Sequence, residues 1–240
     1  IASGNTVAIK SIEKLDNLLA GGLYGSMLFT IRARPRVGKT AYAVNLAYQI
    51  MNKDPEVQVD FFTLEMNKRE MLSRFISRSA NVDSQKLKNP ANDLDLIFSK
   101  MVTAGIDWVR THKIRIYDRV LTLGGILSVI KKNAAKAKPD KYVAIIDYIG
   151  LVKVNGRQDR WLQVGKITRE LKIIANEYNI PVIALAQLNR GVESRQNKEP
   201  LLSDLRESGS IEQDSNVVAF LYRPSVDNTQ LLNLSITKKS

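Results

Sequence analysis

The chain has 240 residues, 44% hydrophobic and 25% charged, enough to bury one large core and ordinary for a globular protein. It contains no cysteine, which excludes disulfides, thiolate metal sites and a cysteine nucleophile and fits a reducing, cytoplasmic setting. Its 36 Lys and Arg against 24 Asp and Glu leave a net charge of +12, which suits a polyanionic partner but is shared by ribosomal, membrane-surface and merely soluble proteins.

Residues 1–20 read as a polar lead-in to an amphipathic segment carrying Ile12, Leu15, Leu18 and Leu19, and Gly21-Gly22 ends it. Residues 21–240 read as one domain, with no Pro/Gly/Ser-rich linker to divide it. The apolar run 26–31 is a buried strand, 41–51 has helical spacing, and 57–64 is a second strand. A helical stripe with a basic outer face follows over 67–80, built on Met71, Leu72, Phe75 and Ile76. Shorter helices occupy 83–110, and 114–117 is a strand preceded by the chain's one histidine, His112, which is assigned no chemistry. Thr122 is placed to cap a helix that carries Leu123, Leu127, Ile130 and Ala134.

The nearly all-apolar run 142–146 is expected as a central strand covered on both faces. It is too short, and too soon interrupted by Asp147, to cross a bilayer, so no membrane partner is expected. Val164, Ile167, Leu171, Ile174 and Tyr178 make a helical stripe over 161–178, stopped by Asn179 and Pro181. Strands at 180–186, 216–222 and 231–237 complete the pattern, the last two close enough to form an antiparallel edge hairpin. Strand and helix alternating in this way predict an α/β fold with a mostly parallel, twisted sheet and helices on both faces.

Ala33-Arg34-Pro35-Arg36-Val37-Gly38-Lys39-Thr40 leaves a predicted strand and opens a predicted helix, the context a Walker A phosphate loop requires. Backbone N–H groups and the helix dipole favour phosphate there, Lys39 is placed for the β- and γ-phosphates, and the Thr40 hydroxyl for Mg²⁺. Ala33 stands where the pattern has glycine, which is tolerable only if its φ stays negative. Asp147, at the end of the 142–146 run, is placed to hold Mg²⁺ as a Walker B acid, or simply to cap the loop after a buried strand. Glu65 ends another strand, where a buried ionised carboxylate needs a partner or a task; it is either a base for the attacking water or a helix N-terminal Glu. Gln187 ends a third strand, either to sense the γ-phosphate or as an ordinary polar strand end.

Ala-Arg-Pro-x-x-Gly-Lys-Thr-Ala over 33–41, Thr-Leu-Glu-Met over 63–66, Ile-Asp-Tyr-Ile-Gly-Leu-Val over 146–152 and Ala-Leu-Ala-Gln-Leu-Asn-Arg-Gly-Val-Glu over 184–193 come in the order of the DnaB-type helicases. With the run from Ser203 to Asp214 and on to Arg223, the chain resembles the RecA-like P-loop motor domain of that family over roughly residues 10–238. The resemblance implies an ATP- and Mg²⁺-dependent motor, assembled as a hexameric ring on single-stranded DNA. It makes Lys39 and Thr40 phosphate and Mg²⁺ contacts, with Ala41 closing the ATP loop, Glu65 the general base, Asp147 the Walker B acid and Gln187 the link to the DNA loops. It makes Arg206, Glu207 and Gly209 part of a DNA-contacting loop, with Arg190 and Arg195 beside it as helpers or as solvated loop residues. Arg36 stands at a position usually small in the family. The family's helical N-terminal, primase-binding domain is not in this sequence, and an arginine expected beyond Lys238 is absent or lies past its end. Primase and a helicase loader are then partners of a longer parent protein. The competing readings are a RecA-like ATP switch, recombinase or regulator without unwinding, and a module that binds nucleotide but hydrolyses little.

Overall fold

The computed structural model describes residues 7–88, 96–156, 159–188, 209–223 and 233–239. Its seven strands, β1 (Leu28–Ala33), β2 (Gln58–Thr63), β3 (Ile114–Tyr117), β4 (Tyr142–Asp147), β5 (Val182–Gln187), β6 (Val217–Tyr222) and β7 (Asn233–Lys239), lie in the order β3-β2-β4-β5-β1-β6-β7. All neighbours are parallel except β6 and β7, which pair antiparallel as the edge hairpin expected from their spacing.

Alternation along β4 shows how one strand serves two cores. Val143 and Ile145 join Phe29, Ile31, Phe61, Ile183 and Leu185 on one side of the sheet. Ala144 and Ile146 join Leu28, Phe62 and Ala184 on the other. The first side is covered by α1 (Glu13–Leu18), α2 (Lys39–Lys53) and α3 (Lys68–Ala80), through Leu15, Leu46, Ile50, Met71 and Phe75. The second is covered by α6 (Leu123–Ala134) and α7 (Arg160–Tyr178), through Ile126, Ile130, Ile167, Leu171 and Ile174. Two further helices, α4 (Ser84–Lys88) and α5 (Leu96–Thr111), follow α3, and α8 (Gly209–Asp214) precedes β6.

The lead-in is tied to this body: Ile9 exchanges backbone hydrogen bonds with Leu23, and Ile9, Leu15 and Leu19 are buried in the first core. The buried Asp16 carboxylate accepts from the Ser11 N–H at 2.9 and 3.0 Å and from its hydroxyl at 2.6 Å. Leu18, expected on the apolar stripe, is 49% exposed, because a helix of six residues turns only part of its circumference inward. Helix starts follow their capping signals. Thr122 accepts from the Gly125 N–H, and Asn67 and Glu70 form a reciprocal capping box at α3. The buried stripe of α6 is rotated from the expected one, with Ile126 and Asn133 turned inward and Leu127 and Ala134 at its rim. Asn133 is drawn in by Asp60 of β2, whose Oδ2 accepts from Asn133 Nδ2 and Tyr142 Oη, both at 2.7 Å. Among the described residues no helix is long and apolar enough to cross a membrane.

Candidate nucleotide site

The register of the sheet brings the singled-out strand ends to one edge. Ala33 pairs with Gln187, and Thr63 with Asp147. The loop between β1 and α2 therefore opens where the Asp147 and Gln187 strand ends also emerge, at the carboxyl edge of the parallel strands. Ala33 is the last residue of β1 with φ outside the positive region, so its methyl group is accommodated. Gly38 takes φ 112 to start α2, and Arg36 takes φ 63, a left-handed conformation that glycine or asparagine would adopt with less strain. Helix α2 begins with no side-chain cap and no acidic residue in its first turn, leaving its N–H groups and dipole to an anion.

Within the site, Thr40 Oγ1 donates to Asp147 Oδ2 at 2.6 Å, and Lys39 Nζ lies 3.7 Å from Asp147 Oδ1. The latter distance is ion pairing without a hydrogen bond, and Asp147 Oδ1 is a buried oxygen with no hydrogen-bond partner. Burial raises the Asp147 pKa, against the opposing Thr40 hydrogen bond and Lys39 charge. Burial likewise lowers that of Lys39, with Asp147 and Glu65 pulling it back up. The two groups share a desolvated corner in which the charged forms are incompletely compensated. An orphaned carboxylate oxygen beside a hydroxyl fits a hard cation, which takes oxygen ligands and retains several waters. Among the described residues no group of three or more His, Cys, Asp or Glu side chains could hold a metal, so a cation here would complete its shell with water or with oxygens of a bound phosphate.

Glu65 stands differently from the expectation of a buried strand end. It is exposed, in the bend between β2 and the Asn67 cap of α3, so burial supplies no argument for a task. Its neighbourhood does, because its charge is felt by Lys39, Asp147 and Tyr148. The bend is fixed on both flanks: Leu64 N–H donates to the Asp147 carbonyl at 2.8 Å, and Thr63 Oγ1 to the Met66 carbonyl at 2.9 Å. Gln187 is exposed too, while the next residue, Leu188, is buried and donates its N–H to the Ala33 carbonyl at 2.9 Å. Arg190, Arg195, Arg206 and Glu207 lie outside the described residues. Gly209 opens α8, which is anchored at its far end by Thr168 Oγ1 donating to Asp214 at 2.7 Å and by a 2.7 Å contact between the Thr30 and Ser215 hydroxyls.

Two residues at the site have contacts that residue types alone did not signal. Arg223, just beyond β6, donates Nε–H to the Val37 carbonyl of the loop at 3.1 Å. Tyr148, next to Asp147, places its ring 3.6 Å from Lys39 Nζ. Their positions at the ends of β6 and β4, beside the Asp147 strand end, were the available signal.

This geometry has counterparts. The chain is 38% identical to the replicative DNA helicase DnaC of Bacillus subtilis (strain 168) over 235 residues, which is 94% of this chain and 50% of that protein. It is 36% identical to the replicative DNA helicase DnaB of Geobacillus stearothermophilus over 233 residues, 93% of this chain and 48% of that protein. The chain thus spans about half the length of these curated relatives. A solved structure described as an ATPase domain superposes with a TM-score of 0.89 at 32% identity, covering 99% of this chain and 86% of that one. A DnaB-like replicative helicase, solved in a study of its interactions with primase, gives the same TM-score and identity over 99% of this chain and 58% of its own. With the family model of the DnaB-like helicase C-terminal domain matching residues 9–239, the fold and the strand-end site together make this chain a member of that family.

Proposed function

We propose that the chain is the ATP-hydrolysing motor domain of a replicative DNA helicase. The observation that carries this is the corner made by Lys39, Thr40 and Asp147, where a hydroxyl and a half-satisfied buried carboxylate face an uncapped helix N-terminus. The loop of residues 33–41, with Ala33, Arg34, Pro35, Arg36, Val37, Gly38 and Ala41 around Lys39 and Thr40, would wrap the triphosphate with its N–H groups. Thr40 and Asp147 would hold Mg²⁺, Asp147 through water. When bound, Mg²⁺ neutralises charge on the β- and γ-phosphate oxygens. Glu65, exposed and beside this corner, is free to take the proton of the attacking water. Gln187 is suited to read the γ-phosphate, and Leu188 ties the chain after it to Ala33 at the start of the loop.

The relatives' names support DNA as the substrate of a helicase. To this the proposal adds single-stranded DNA as the track, met largely through its backbone by Arg190, Arg195, Arg206, Glu207 and Gly209, and a ring of six copies in the cytoplasm. One solved relative is described together with primase, which supports primase as a partner, and a helicase loader is a further partner in the proposal.

The test is steady-state ATP hydrolysis with and without single-stranded DNA, for wild type and Glu65→Gln. DNA stimulation that Glu65→Gln abolishes while nucleotide still binds supports the reading. Hydrolysis indifferent to DNA at every salt concentration overturns the motor reading, and an unimpaired Glu65→Gln overturns the base.

A further inference from the structure

We propose that the aromatic ring of Tyr148, seated by Gly150 and Arg160, is the surface that positions the Lys39 ammonium for nucleotide. The inference rests on the nucleotide reading above and adds a positioning residue to it.

Lys39 has a long, flexible side chain that is only 10% exposed, so its head must find protein partners in place of water. Its Nζ is 3.6 Å from the centre of the Tyr148 ring, over the face, and 3.7 Å from Asp147 Oδ1, beyond hydrogen-bond length. Ring and carboxylate therefore both lie against the ammonium, and the ring face supplies attraction without a directional bond. An incoming phosphate can collect the lysine from such a surface without first breaking a hydrogen bond.

The ring is itself held along its Cδ2–Cε2 edge. A Cβ placed on Gly150 would lie 2.5 Å from Tyr148 Cε2 and 2.9 Å from Cδ2, so the ring lies against bare backbone that only glycine provides. The turn carrying Gly150 (Ile149–Leu151) is pinned by Arg160, the first residue of α7. The guanidinium donates to the carbonyls of Val152 at 3.4 Å and Ile149 at 3.5 Å, and also to that of Gly150. Gln163 Oε1 accepts from the same guanidinium at 2.6 Å and braces it. A continuous series of contacts thus runs from the start of α7 through the turn and the ring to Lys39.

The experiment titrates a non-hydrolysable ATP analogue with Mg²⁺ into wild type, Tyr148→Leu, Tyr148→Phe, Gly150→Ala and Lys39→Ala, with thermal melts as a folding check. Tyr148→Leu, which keeps bulk and loses the π face, is expected to weaken binding about three- to thirtyfold, and Tyr148→Phe to restore it. Gly150→Ala, which displaces the ring without altering it, is expected to reproduce the loss. In hydrolysis assays the change should fall on KM, with kcat kept within about twofold. Wild-type affinity in Tyr148→Leu, or equal losses in the Leu and Phe variants, overturns the positioning role. Should Tyr148→Leu fail to fold, wild-type affinity in Gly150→Ala does so instead. Unchanged affinity in Lys39→Ala would overturn the nucleotide reading itself, whereas its loss alongside an unaffected Tyr148→Leu removes only the ring.

Discussion

Thr40 and Asp147, 107 positions apart in the chain, are joined by a 2.6 Å hydrogen bond that links the first turn of α2 to the last residue of β4. The bond leaves the second carboxylate oxygen without a hydrogen-bond partner. Thr40→Val removes the hydroxyl at nearly constant volume and is expected to lower ATP hydrolysis by about a hundredfold or more, with little rescue by added Mg²⁺. Thr40→Ser should retain most activity. A wild-type rate in Thr40→Val, measured across a Mg²⁺ series, would remove Thr40 from the proposed cation site.

Arg223 reaches the loop from the opposite end of the domain's sequence, through Val37, and its Nη1 is buried without a hydrogen-bond partner. Arg223→Ala should loosen the loop and weaken nucleotide binding, at a cost to folding of about 1–2 kcal/mol. Arg223→Lys, which cannot reproduce the Nε–H geometry, should fall nearer to alanine than to wild type. Denaturant melts alongside nucleotide titrations measure both effects, and a fully active Arg223→Ala would show that Val37 needs no such support.

The strands were largely legible because burial on both faces demands unbroken apolar runs, as at 142–146, and the edge hairpin because two runs followed each other closely. The loop and the Asp147 strand end were legible for the same reason: a polar residue that ends such a run must emerge at the sheet edge. Glu65 was misread as buried, since spacing locates the end of β2 but not the bend beyond it. The contacts of Arg223 with Val37 and of Tyr148 with Lys39 depend on strand order, on β6 and β4 flanking the β1–β5 pair, which no local pattern encodes. Asn133 was hidden likewise, being polar on a face where the pattern called for an apolar residue.

Asp60 gives a pH-dependent prediction. Its carboxyl is buried, and that burial raises its pKa against hydrogen bonds from Asn133, Tyr142 and Gln58. A raised native pKa means the folded state holds the proton more tightly than the unfolded state. The site's contribution to stability therefore grows as pH falls from above the native pKa toward the unfolded value near 3.9, and is level below it. Asp60→Asn, which can still accept from Asn133 and Tyr142, should match or exceed wild type at pH 7, the gap closing as pH falls. Asp60→Leu, which strands both donors, should cost about 2–4 kcal/mol at either pH. Urea melts at pH 7 and pH 5 decide; a wild type that outgrows Asp60→Asn in stability as pH rises would reverse the sign.

Helix α8 is fitted to α7 closely enough to be tested. A Cβ on Gly165 would meet Ser210 Cβ at 3.1 Å, and Thr168 supplies the hydroxyl donor to Asp214. Thr168→Val should cost about 1–3 kcal/mol by leaving that carboxylate oxygen unpaired, and Gly165→Leu more through steric displacement of α8. If the DNA-contacting reading of residues 190–209 is right, both variants should lose DNA stimulation before basal hydrolysis. Equal loss of the two would argue against it.

The hydrogen bond from Leu188 to Ala33 has a mechanical meaning. Tension on the chain at Leu188 arrives, one bond later, at Ala33, the residue from which the β1–α2 loop springs. The other end of that stretch re-enters at α8, which is moored to α7 through Thr168 and Asp214. On the proposed reading, in which DNA is held between these two abutments, a pull on the strand would reach Ala33 through Leu188 at one end and α7 through α8 at the other.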